Sequence, residues 1–160
     1  MTTATEAAGY RTAIGHFATG VTVVTSGGEL GPAGLTTNAV CSLSLEPLLF
    51  IVCLERSSRT LAAVRESGRL AVNVLAADQQ RVAITFSTKA PHPEKFEGVG
   101  YRDVEGVPVL EGVVAWIAGE VRELLPGGDH EMAVTAVTAF EAPGGEPLVF
   151  FRGGYHSLGD

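Results

Sequence analysis

The sequence predicts a mainly β, antiparallel chain that closes into a barrel or closed sheet, with a few short helices at its edges. Three observations carry this. Six or seven short apolar or β-branched runs are separated by turns rich in Gly and Pro. The last three runs, 109–125, 130–140 and 148–151, follow one another through short turns and should therefore pair antiparallel. Helical periodicity is confined to three short stretches.

Residues 5–19 place Tyr10, Ile14, Phe17 and Ala18 at helical spacing, with Thr5 as N-cap and Gly20 as stop, and read as an amphipathic helix. Val21 to Thr25 is β-branched and reads as a strand. Ser26-Gly27-Gly28 turns the chain, and 34–40 is the returning strand. Leu48 to Leu54 (LLFIVCL) is apolar throughout and too short for a typical helix, so it reads as a strand buried on both faces. Residues 60–65 form a short helix ended by Ser67-Gly68. Residues 69–75 are a strand with Asn73 in an apolar frame, and a short helix spans 78–86. Residues 87–107 read as irregular loop. Pro126 to Asp129 and Pro143 to Glu146 are turns between the closing strands.

A length of 160 residues suits a single domain over 1–160. Hydrophobic residues make up 46% and charged residues 18%, which excludes intrinsic disorder. A net charge of −7 without a basic stripe argues against nucleic acid as a partner. No apolar run reaches the roughly 18 residues of a membrane span, and Met1 to Gly9 lacks the features of a signal peptide. Cys41 and Cys53 form neither a disulfide framework nor a zinc pattern, and read as reduced, semi-buried thiols of a cytoplasmic protein. The four histidines lack metal-ligand spacing, so no metal is expected. No P-loop, dinucleotide fingerprint or nucleophile elbow is present.

Four segments are candidates for chemistry. In Glu55-Arg56-Ser57-Ser58-Arg59-Thr60 a buried strand hands over to a helix. Ser57 or Ser58 can cap that helix. Arg56 and Arg59 crowd an end that prefers acids, which becomes favourable once an anion docks there. Such a turn is a phosphate cradle, or else an exposed loop with solvated arginines. Thr36-Thr37-Asn38-Ala39 offers hydrogen bonds to a flat polar ligand, or is simply a polar strand end. Gly127-Gly128-Asp129-His130 is a hairpin turn with His130 opening a strand. Arg152-Gly153-Gly154-Tyr155-His156 groups Arg, Tyr and His near the C-terminus, where they can meet an anionic or aromatic ligand.

In order and spacing, these segments resemble the flavin reductase family of the FMN-binding split-barrel fold. The family includes the reductase components of two-component flavin-dependent monooxygenases. The matching stretches are HFATGVTVVT (16–25), GLTTNAVCSLSLEP (34–47), LFIVCLERSSRTLAAVRESGRLAVNVLA (49–76), KFEGV (95–99), VPVLEGVVAWI (107–117), GGDHE (127–131) and PLVFFRGGY (147–155).

The resemblance implies an antiparallel Greek-key split β-barrel that forms a homodimer, with FMN or FAD near the subunit interface and NADH or NADPH as co-substrate. Thr36, Thr37, Asn38 and Ala39 would hydrogen-bond the isoalloxazine edge. Cys53, Leu54 and Glu55 would line the flavin, and Ser57, Ser58 and Thr60 would hold its phosphate. His130, Arg152 and Tyr155 would approach the nicotinamide nucleotide, and Gly20 and Val21 would floor the ring. The reaction implied is hydride transfer carried by the cofactors, with no side-chain nucleophile, after which reduced flavin passes to a separate monooxygenase. Three positions depart from the family: Ala39 where serine is common, Ile84-Thr85 where a basic residue often precedes the phenylalanine at 86, and Val134 to Val137 where V-G-E-V is common. Two alternatives remain: a flavin carrier of the same fold without reductase turnover, and an oxidase of a phosphorylated pyridoxine.

Overall fold

A computed structural model describes residues 1–29 and 31–159. The chain opens with α1 (Ala4–Ile14), started by a reciprocal capping box in which Thr3 Oγ1 accepts from the Glu6 N–H at 3.2 Å and Thr3 N donates to Glu6 Oε2 at 2.7 Å. The cap is Thr3 rather than Thr5. The helix stops at Gly15, five residues before the expected stop at Gly20, and buries none of its residues. Then follow β1 (Thr19–Gly20), β2 (Thr22–Ser26), β3 (Ala33–Thr37), β4 (Val40–Leu45) and β5 (Leu48–Glu55). The returning strand expected over 34–40 is thus two strands, broken at Asn38-Ala39.

The middle of the chain forms α2 (Arg59–Ser67), β6 (Arg69–Val74), a single 3-10 turn (Ala77–Gln79) and α3 (Gln80–Ser87). Gly68, at φ 67°, ends α2 in the left-handed conformation that glycine adopts without strain. The segment expected as irregular loop holds α4 (His92–Phe96), β7 (Tyr101–Val104) and the start of β8 (Val107–Leu110). The expected strand 109–125 is in fact two elements, because Gly112 turns at φ 75° between β8 and β9 (Ala115–Gly127). The chain ends with β10 (His130–Glu141), β11 (Val149–Phe151) and β12 (Gly154–His156).

Seven strands form one antiparallel sheet in the order β3-β2-β6-β9-β10-β5-β4. β1, β11 and β12 form a second sheet, and β7 pairs with β8. Two apolar clusters fill the fold. One joins Val23, Ala71, Phe86, Phe96 and Trp116 beneath α3, α4 and β8; the other joins Val52, Leu54, Leu61, Val64 and Leu70 beneath α2. Asn73, fully buried, staples three strands. Its Nδ2 donates to Val23 O at 3.0 Å and Thr25 Oγ1 at 3.1 Å, and its Oδ1 accepts from Leu110 N at 2.8 Å. A buried amide with all these bonds made adds specificity without an unsatisfied polar group.

Two features of this frame place the site. β5 leads directly into α2, so the first turn of that helix emerges at the end of a core strand. The β9–β10 hairpin pairs with β5 in a register that sets His130 opposite Glu55, and Arg56 N donates to Asp129 O at 3.0 Å.

Candidate functional site

Ser58 is the N-cap of α2. Its side chain accepts from Thr60 N at 3.1 Å and Leu61 N at 3.4 Å, which leaves its own hydroxyl proton free to donate. No acid lies in the first turn, so the helix itself supplies no counter-charge to its positive end. Thr60 Oγ1 is buried without a hydrogen-bond partner. Ser57 donates to Glu55 Oε1, which ties the neighbouring carboxylate down.

A cleft of about 390 Å³ opens on this turn. Leu35, Thr36 and Thr37 of β3, Cys53 and Glu55 of β5, Ser57, Ser58 and Thr60, and His130 border it. Its far wall comes from the end of α3, from α4 and from the connection between them: Phe86, Ser87, Thr88, Lys89, His92 and Lys95. His92 takes a weak bond from the Gly34 N–H on Nδ1 at 3.5 Å, and its Nε2 is buried without a partner. Among the described residues three buried side-chain polar atoms lack a partner, and two of them border this cleft. Each such atom is costly unless a ligand satisfies it.

The cleft is basic. Burial, with Lys95 and Arg59 nearby, holds the His92 imidazole below its ordinary range. Burial, then Arg59, lowers the Lys95 ammonium as well. Arg59, which by sequence crowds the cradle, instead donates from Nη2 to the carbonyls of Lys89 and Ala90, both at 2.7 Å. It clamps the α3–α4 connection against the start of α2.

A second cavity of about 670 Å³, mostly apolar, adjoins the first through Cys53. Asn38, Ala39, Cys41 and Ile51 border it, with Ile14, Phe17 and Phe150. Asn38 Nδ2 donates to Thr19 Oγ1 at 3.0 Å, Ala39 N donates to Thr37 Oγ1 at 3.0 Å, and Thr36 Oγ1 donates to Ala83 O at 2.6 Å. These side chains are thus ordered by the chain itself. Both cysteines are free; Cys41 is exposed rather than semi-buried, and burial, with Cys41 adding to it, pushes the Cys53 thiol up.

Eight of the residues singled out by sequence meet at the first cleft, and Asn38 and Ala39 meet Cys53 at the second. Leu54 does not line either cavity. Strand alternation turns its side chain inward, where it is fully buried. Gly20 and Val21 also border neither; Val21 is core. Arg152 and Tyr155 line neither cavity themselves, but they lie on the β11–β12 hairpin whose Phe150 and Gly153 border the second one, with Tyr155 packed on Phe150 at 5.5 Å between ring centres. His130 is bound through Nδ1 to Asp129 Oδ1 at 2.7 Å. A carboxylate only accepts, so Nδ1 is the nitrogen that donates in this pair. The hydrogen bond, reinforced by the imidazole charge, holds the Asp129 carboxyl below the usual carboxylate range. Sequence reasoning missed Lys89, His92 and Lys95. Only the KF pair at 95–96 gave any signal for them.

The family model described as flavin reductase like domain matches residues 14–159. The chain belongs to this family. A protein named probable flavin reductase from Rhizobium meliloti (strain 1021) is 42% identical over 147 residues, 91% of this chain and 47% of that protein, so the chain spans about half of that relative's length. An NADH-dependent flavin reductase from a Rhodococcus species is 37% identical over 151 residues, 92% of this chain and 84% of that one. Among solved structures, nitrilotriacetate monooxygenase component B from Mycobacterium thermoresistibile superposes with a TM-score of 0.92 at 33% identity, covering 97% of this chain and 88% of the other. The flavin reductase family thus accounts for the antiparallel sheet and the few short helices. Among the described residues no helix is long and apolar enough to cross a membrane, and no three His, Cys, Asp or Glu side chains cluster as a metal site would.

Proposed function

We propose that this chain is a single-domain NAD(P)H-dependent flavin reductase that takes FMN or FAD and passes the reduced flavin to a separate monooxygenase. One observation carries the reading. The positive end of α2 opens on a cleft with no acid in its first turn and with the buried Thr60 hydroxyl unpartnered. A phosphate there gives the helix its counter-charge and Thr60 an acceptor. The names of the relatives support the same activity.

In this reading Ser58, Thr60 and the first turn of α2 hold the flavin phosphate. Thr36 to Ala39, with Cys53, flank the ring across the two adjoining cavities, and Glu55 and Ser57 border the tail. Hydride transfer from nicotinamide to isoalloxazine is the chemistry the two cofactors bring. The protein contributes position, chiefly by ordering both ligands beside one another. His130, oriented by Asp129, offers Nε2 at the mouth of the cleft toward the nicotinamide nucleotide, with Tyr155 and Arg152 as further contacts. A homodimer is supported by the exposed apolar side chains of Ile14 and Phe17 at the rim of the apolar cavity, and by the further exposed Tyr10 and Leu45, the last 83% exposed.

The test is consumption of NADH and NADPH by the purified protein with added FMN or FAD. Flavin-dependent loss of nicotinamide absorbance is expected. Flavin binding without any such loss would make the chain a carrier.

A further inference from the structure

We propose that Cys41 of β4 and Cys53 of β5 form a two-thiolate site for a soft, two-coordinate cation of the Cu(I) class, on the wall of the apolar cavity. The site lies apart from the phosphate turn and needs no flavin.

The strand register brings the two cysteines together. In the β4–β5 ladder Cys41 lies opposite Ile51, and Val40 opposite Val52. Cys53 N donates to Ala39 O at 2.9 Å, which carries that register one residue further. Ladder partners share a face of the sheet, so Ala39, Cys41, Ile51 and Cys53 form a four-cornered patch with the cysteines on one diagonal. All four border the apolar cavity. The irregularity in this strand pair falls between Ser42 and Ser44, so the ladder at Cys41 is regular. A cysteine sulfur hangs one bond from its Cβ, so the backbone fixes it to within a choice of rotamer. Burial first and Cys41 second push the Cys53 thiol up, so charge on one sulfur is felt at the other.

The diagonal decides what the pair can bind. Diagonal neighbours stand about 7–8 Å apart, their Cβ atoms somewhat less, whereas a disulfide needs its Cβ atoms about 3.8 Å apart. Both thiols are accordingly free. A cation held in line between two sulfurs, at about 2.3 Å from each, sets them about 4.6 Å apart. The diagonal reaches that span when each sulfur turns toward the other.

The ligand set selects the ion. A structural zinc site takes four ligands, and among the described residues no three His, Cys, Asp or Glu side chains cluster. Thiolates favour soft ions such as Cu(I). Binding exchanges two S–H protons for one Cu(I), so that two protons leave to solvent and the S–Cu–S unit carries one negative charge. Arg11, the only other ionisable residue bordering the cavity, stands outside every ion pair of the described residues, and its positive charge favours that unit.

The experiment is an anaerobic titration of the full chain, without added flavin, with Cu(I) in competition with the chromophoric chelator bathocuproine disulfonate. Wild type is compared with Cys41→Ser and Cys53→Ser. Cys41 is exposed and Cys53 half-buried, so both variants should fold, and a thermal melt checks this. Wild type should take one Cu(I) per chain, and each variant should bind at least about a hundredfold more weakly, because a hydroxyl does not replace a thiolate for a soft ion. Equimolar Zn(II) should not displace the copper. Equal affinity in wild type and either variant overturns the proposal, as does displacement by Zn(II). One Cu(I) per two chains assigns the thiols to a contact between copies and also overturns it. X-ray absorption at the copper edge of loaded wild type reads the same claim without a variant. Two sulfur neighbours are expected, and a single sulfur or a nitrogen shell overturns it. The flavin reading is untouched by any of these outcomes, since no flavin enters the titration.

Discussion

Gly34 lies under the ring of Phe86 so closely that a Cβ at position 34 would meet Cε1 at 2.7 Å. The same glycine takes Lys95 Nζ on its carbonyl and gives its N–H to His92. One residue on β3 therefore sets the position of three groups in the cleft wall. Gly34→Ala should push Phe86 outward and cost about 1–3 kcal/mol, the usual penalty for overpacking. Flavin affinity should fall with it. A melt and a flavin titration check both, and a variant with wild-type stability would show that Phe86 is free to move.

Arg152 sits at φ 49° in the two-residue turn between β11 and β12, followed by Gly153 at φ 80°. Turns with two positive φ values favour Asn-Gly, and arginine there is strained. Arg152→Asn should raise stability by about 0.5–1 kcal/mol. If Arg152 contacts the nicotinamide nucleotide as proposed, the same variant raises the NADH requirement and leaves flavin affinity alone. An unchanged KM for NADH would remove Arg152 from that site.

The His92 imidazole is held below its ordinary value of 6.5 by burial and by the cations Lys95 and Arg59. Above about pH 7.5 it is neutral whether the chain is folded or not, and contributes nothing to pH dependence. As pH falls through 6.5 the unfolded chain takes up the proton first, so the unfolded state is favoured. The ligand-free protein should lose stability over that window, down to the lowered folded value, where the loss levels off. His92→Gln should flatten this part of the profile. Denaturation midpoints between pH 8 and 5 measure it, and identical slopes for the two proteins would contradict the assignment.

The strands that the sequence makes legible are those with β-branched or apolar runs, such as 21–25, 48–54 and 130–140. β4 escapes because Val40 to Leu45 alternates Ser and Cys with apolar residues at an exposed sheet edge, and it runs on from β3 with only two residues between. α4 and β7 are too short to impose a period. The start of α2 is legible because a cap, two hydroxyls and two arginines are adjacent in sequence. The basic wall opposite is not. Gly34 meets Lys95 across 61 residues and Arg59 meets Lys89 across 30, and no local pattern reports such contacts. At Leu54 the resemblance implies a residue lining the flavin, while strand pleating sends its side chain to the core.

In this account the buried Thr60 hydroxyl is kept for a phosphate. Thr60→Val preserves shape and removes the hydroxyl. Measured side by side, the apo-protein should be as stable as wild type or more stable by about 1 kcal/mol, because an unsatisfied buried group is gone, while flavin affinity should drop by about tenfold. Unchanged flavin affinity in this variant would contradict the account.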